Sequence, residues 1–194
     1  MEPAGTTRDR YDLGTIAFHW VVGIGIILLA GTELIRHELP KGSFFRESLK
    51  AIHQPAGTAL LALILLRVAY RLTVARTISF AEAGRAGFMA RMVHRLLYAM
   101  MLAVPLLGLA YVLGSGRSVD FGWFRLAPPA GLSLGGVAKA AKELHEALGT
   151  GILLLAGLHA AAALFHHYVL RDDVLERMRP VVGLKSGRRG VPTD

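Results

Sequence analysis

Four apolar runs, each long enough to cross a bilayer, limit what this chain can fold into. A transmembrane helix needs about 20 consecutive, mostly apolar residues. Such runs lie at roughly Leu13–Ile35, Ala51–Tyr70, Met92–Leu113 and Leu144–Leu170. The expected fold is an all-α membrane protein, a bundle of four transmembrane helices formed by residues 1–180. Residues 181–194 are Gly-rich and basic and are expected to be a disordered cytoplasmic tail. The second run is the weakest, because Arg67 falls near its end, where an arginine is expected to snorkel to the interface. The first run is too long for the apolar part of a signal peptide, carries His19, and is followed by no clear cleavage site.

Charge patterning agrees with this reading. The net charge is +8, which in a soluble protein would suggest nucleic acid. Here the basic residues sit between the apolar runs, so the expected partner is membrane lipid and no nucleic acid. Fourteen of the 22 Lys and Arg fall on the side that holds both ends of the chain. That bias predicts both termini inside, on the cytoplasmic face, in a multi-pass membrane protein. There are no cysteines, which excludes thiolate metal sites, iron–sulfur clusters and covalently attached haem. The longest outer connection contains "DFGWFRLAPPAG" (residues 120–131), whose aromatics suit the headgroup layer and are expected to form a short interfacial segment.

The histidines carry the chemistry. Histidine in hydrocarbon is costly and marks a site with a partner. His19 lies near the inner end of the first run, and His53 begins the second on the outer side. His94 begins the third on the inner side, and His145 begins the fourth on the outer side. His159 follows His145 by 14 residues, a rise of ~21 Å with only ~40° of rotation. The two therefore share one face at two depths. At the outer depth the available partner for His145 is His53. At the inner depth the partner for His159 is His19 or His94.

Two facing histidines suit haem better than a bare metal. Zinc usually takes four protein ligands, whereas haem supplies four nitrogens and asks only for two axial ones. A macrocycle on an imidazole must also lie close to the helix, which favours a small residue one turn on. His19, His53 and His145 are each followed at i+4 by glycine (Gly23, Gly57, Gly149), and His159 by Ala163. His94 is followed by Tyr98, so His19 is the preferred inner partner. Lys50 and Lys142, with Lys139, are outer candidates for contacts to haem propionates or an anionic substrate. His94, Arg95 and Arg91 are the inner candidates. His166 and His167 lie at the inner end of the last run, where they are expected to face a quinone headgroup, a haem propionate or simply the membrane interface, and His37 reads as a solvated loop residue.

The segments "IAFHW", "KAIHQPAG", "MVHRLLY", "ELHEALG" and "GLHAAAALFHHY" resemble the bacterial cytochrome b561 family. The related cytochrome b subunits of nickel hydrogenases and formate dehydrogenases share the likeness, which covers residues 10–180. The resemblance implies a four-helix bundle enclosing two b-type haems, one held by His53 and His145 and the other by His19 and His159. It also implies ubiquinone or another quinone as electron partner. Some stand-alone members of this bacterial inner-membrane family oxidise superoxide and pass the electron to ubiquinone, so the implied activity is that of a superoxide:quinone oxidoreductase. Other members relay electrons as subunits of a dehydrogenase, which would require a partner redox protein. A dimer is compatible with the small residues in the runs. The six-span eukaryotic ascorbate reductases of similar name do not fit four runs. A histidine-based ion transporter is the alternative of another class, and it predicts no haem absorbance.

Overall fold

A computed structural model describes residues 10–75 and 84–180. The basic tail expected over 181–194 lies outside them, as do Arg8 and Arg76. The chain forms four long helices, α1 (Leu13–Glu38), α2 (Phe44–Thr73), α3 (Gly84–Gly114) and α4 (Gly136–Phe165). All four are long and apolar enough to cross a membrane. They run alternately up and down. One end of the bundle, the loop end, carries the α1–α2 and α3–α4 connections. The other, the terminal end, holds the start of α1 and the end of α4.

Each helix but α1 begins well before its apolar run. α2 starts at Phe44, where the Ser43 side chain caps the Arg46 amide. α4 starts at Gly136 and carries Lys139–Glu143 and Lys142–Glu146 pairs one turn apart. His53 and His145 therefore lie in the third turns of their helices rather than at helix starts. α1 runs past its apolar run to Glu38 and includes His37, which sits on the last turn beside Glu33. α1 packs on α2 and α3 on α4, with fewer contacts between α1 and α4. Val22, Ile64, Met101 and Ile152, one from each helix, form a buried apolar layer at mid-depth.

The α3–α4 connection has more structure than an interfacial segment. Val119–Asp120 (β1) pairs antiparallel with Arg125–Leu126 (β2). Val119 is fully buried, and β1 lies against α2, so the hairpin covers part of the loop end. Asp120 closes the turn by accepting from the Gly122 amide and pairing with Arg125 at 2.7 Å. Phe121 and Phe124 stack at 4.4 Å, and Trp123 projects from the tip. At the terminal end α4 continues into a π turn, His166–Leu170, which Arg171 ends in the left-handed conformation. The chain then folds back on α1, where Trp20 Nε1 donates to the Met178 carbonyl at 2.8 Å.

Candidate functional site

The bundle brings its histidines together in two groups. Near the loop end, the His53 and His145 rings lie 6.2 Å apart, centre to centre, and nearly perpendicular at 88°. Near the terminal end, His19 and His159 lie 6.3 Å apart at 70°. All four rings are half-buried. Along α4 and into the π turn that follows it, the seven-residue interval His145, Ile152, His159, His166 forms one stripe, with the buried Ile152 between the two groups.

Both histidines of the loop-end pair are held through Nδ1. His145 Nδ1 donates to the Val104 carbonyl at 2.7 Å, which leaves Nε2 with its lone pair. Thr32 Oγ1 donates its single proton to the Leu29 carbonyl at 2.6 Å. The contact between Thr32 Oγ1 and His53 Nδ1 at 2.9 Å is therefore a bond donated by the imidazole. His53 also keeps Nε2 free to bind a metal.

The surroundings leave room beside these rings. A Cβ built on Gly23, Gly57 or Gly149 meets nothing within 4 Å. Gly108 of α3 has a different role. A Cβ there would lie 2.9 Å from His145 Cε1, so this glycine is what admits the His145 ring.

These dimensions fit haem. An imidazole nitrogen binds its metal at about 2.0–2.1 Å, and with about 1.1 Å from nitrogen to ring centre, two rings on one metal lie about 6.3 Å apart. The loop-end pair at 6.2 Å and the terminal-end pair at 6.3 Å match that separation. His94 also approaches His159, but at 5.2 Å, too close for the two rings to lie on opposite sides of one metal, and His94 is exposed. Among the described residues no three His, Asp or Glu side chains converge as a bare metal would need.

Other sequence candidates fall around this frame. Lys50 pairs with Glu47 at 3.8 Å and Lys142 with Glu146 at 2.8 Å, which offsets much of the positive charge at the loop end. Arg91 and Arg95 are exposed near His94. Arg67 does not snorkel along its helix. It lies across the bundle, donating to the Phe18 carbonyl at 3.4 Å with its guanidinium 5.4 Å from the Tyr98 ring centre. Phe18 precedes His19, so the interior position of Arg67 places a cation beside the terminal-end group. His166 Nδ1 donates to Asp172 Oδ2, and that carboxylate is braced by the Val174 amide at 3.1 Å.

Comparison with known proteins settles the family. The family description that matches residues 10–180 is prokaryotic cytochrome b561. The chain belongs to that family. It is 30% identical over 175 residues to cytochrome b561 homolog 1 of Escherichia coli K12, covering 89% of this chain and 98% of that one. It is equally similar, at 30% over 175 residues, to a probable superoxide oxidase, CybB, of Yersinia pestis, covering 89% and 97%. Cytochrome b561 homolog 2 of E. coli K12 is 28% identical over 190 residues, covering 95% and 97%. The chain is thus a multi-pass membrane electron-transfer protein of the cytochrome b561 type.

Three parts of this cytochrome b561 site were not anticipated from sequence. Thr32 and the Val104 carbonyl come from helices other than those of the histidines they hold, and only the packing register brings them there. Gly108 was one glycine among 22, and no histidine precedes it at i−4 to single it out. The His166–Asp172 pair forms because the π turn and Arg171 reverse the chain, and no repeat announces that reversal.

Proposed function

We propose that this chain is a di-haem membrane cytochrome b that takes single electrons from a donor at its loop end and delivers them to a quinone at its terminal end. The observation that carries the reading is the pair of histidine couples, 6.2 and 6.3 Å apart, set on one stripe of α4. His53 and His145 would hold one haem, and His19 and His159 the other. When bound, haem supplies reversible one-electron chemistry at iron. The chain's contribution is to present two neutral imidazoles at each level and to keep the space between the levels apolar. With His53 and His145 on one haem and His19 and His159 on the other, no position would be left open for a further ligand, which favours outer-sphere electron transfer.

At the terminal end, quinone reduction requires protons as well as electrons. His166 continues the stripe seven residues beyond His159, a step of ~10.5 Å. Burial raises the Asp172 carboxyl, but the bonds from His166 and the Val174 amide outweigh it and hold the group below its ordinary value. Asp172 is therefore an anionic partner that steadies His166 as a proton donor to a quinone oxygen. At the loop end, superoxide is the proposed donor, supported by the similarity to the probable superoxide oxidase of Yersinia pestis. By the positive-inside count, this end faces outward.

The test is a reduced-minus-oxidised spectrum of the purified chain with a pyridine haemochrome assay. Two b haems per chain are expected, falling to one in His145→Ala. Superoxide-driven reduction of a water-soluble quinone by the single chain should follow. Absence of haem would refute the cofactor assignment. Reduction only with an added soluble dehydrogenase would refute the superoxide assignment and favour a relay subunit.

A further inference from the structure

We infer that Thr32 is a positioning residue that fixes the His53 tautomer and lowers the redox potential of the group held between His53 and His145. The inference rests on the proposed haem assignment and goes beyond it. A threonine hydroxyl has one proton, and Thr32 gives it to the Leu29 carbonyl at 2.6 Å. The His53 ring must then donate from Nδ1, to Thr32 Oγ1 at 2.9 Å and, less directly, towards the Leu29 carbonyl that Thr32 also holds. Thr32 lies on α1 and His53 on α2, so the bond also ties the two helices together at the level of the ligand.

Donation from the second ring nitrogen makes an imidazole a stronger ligand. A stronger ligand favours ferric over ferrous iron and so lowers the potential. The opposite ligand, His145, donates to a backbone carbonyl that no side-chain substitution removes. Among the described residues, His19 and His159 have no such acceptor on Nδ1. The hydroxyl of Thr32 is thus a side-chain determinant that acts on one of the two levels alone.

The experiment is an optical redox titration of the full-length chain in detergent, after its haem content has been measured. Thr32→Val keeps the branched shape and removes the hydroxyl. One of the two redox components should shift to higher potential, the other should stay, and Thr32→Ser should restore the wild-type curve. The shifted component should be the one missing from His53→Ala. If Thr32→Val does not load haem, Thr32→Ala takes its place. The inference is overturned if neither component moves, if both move together, or if the moving component survives in His53→Ala. It is also overturned if both hydroxyl-free variants lose the haem, since Thr32 would then be structural. A wild-type chain without haem is a separate outcome that refutes the cofactor assignment before any variant is made.

Discussion

Replacing Gly108 with alanine should unload the loop-end site while leaving the bundle folded. The new Cβ would lie 2.9 Å from His145 Cε1 and 3.0 Å from its Nδ1. Carbon atoms rest at about 3.5–4.0 Å, so the ring must retreat by about 0.6–1.1 Å. The bond from Nδ1 to the Val104 carbonyl, now 2.7 Å, would stretch past the limit of a useful hydrogen bond. Overpacking of this kind costs about 1–3 kcal/mol. Alanine in place of glycine inside a helix returns about 0.8–1.0 kcal/mol. Overall stability should therefore fall by no more than about 2 kcal/mol. The loss falls on the ligand geometry, where 1–3 kcal/mol corresponds to roughly 5- to 150-fold weaker retention of haem. The assay is haem per chain by pyridine haemochrome, with helix melting by circular dichroism on the same sample. Gly157→Ala, on an exposed face with nothing within 4 Å, is the control. A Gly108→Ala chain that keeps two haems with unchanged midpoint potentials would show that this glycine does not shape the site.

Gly57→Leu and Gly149→Leu fill space that is open beside His53 and His145, and each should reduce the haem count from two to one, whereas Gly157→Leu keeps both. Asp172→Asn should slow quinone reduction by about 10²-fold, the low end for a lost proton-transfer group, while stopped-flow reduction of the haems from the donor side stays at the wild-type rate. Burial raises the Asp12 carboxyl, but bonds from the Tyr70 hydroxyl at 2.6 Å and from Thr15 outweigh it and hold its pKa down to about 2. A folded value below the ordinary 3.8 contributes stability that is present above pH 3.8 and lost as pH falls towards 2. Tyr70→Phe should move acid unfolding in detergent to higher pH, by a small amount because Asp12 is mostly solvated.

The four spans were legible because hydrocarbon imposes length and apolarity together, and 22 glycines did not hide the pattern. Their ends were not. Phe44–Lys50 and Gly136–Glu143 continue the helices through capping and ion pairs, which hydropathy does not count. The histidine levels could be read from the 14-residue interval on α4, because rise and rotation within one helix are fixed. What holds those histidines depends on how neighbouring helices are rotated against one another, so Thr32 and Val104 stayed invisible. Arg67 was misread for a related reason. Snorkelling treats a helix as alone in lipid, whereas here the Phe18 carbonyl and the Tyr98 ring receive the guanidinium inside the bundle. The hairpin escaped notice because its strands have only two residues each, too short for alternation to show.

The layer of Val22, Ile64, Met101 and Ile152 gives the proposed electron path an electrical consequence. It offers no hydroxyl, carboxylate or imidazole along which a proton could hop. Charge that crosses it would cross as an electron alone, over the ~21 Å between the levels of His145 and His159. That is roughly 0.7 of a hydrocarbon core about 30 Å thick. Each electron would then exchange about 1.6 kcal/mol with the membrane for every 100 mV of potential. Turnover of this chain in sealed vesicles would polarise them, and an imposed voltage would speed or slow it.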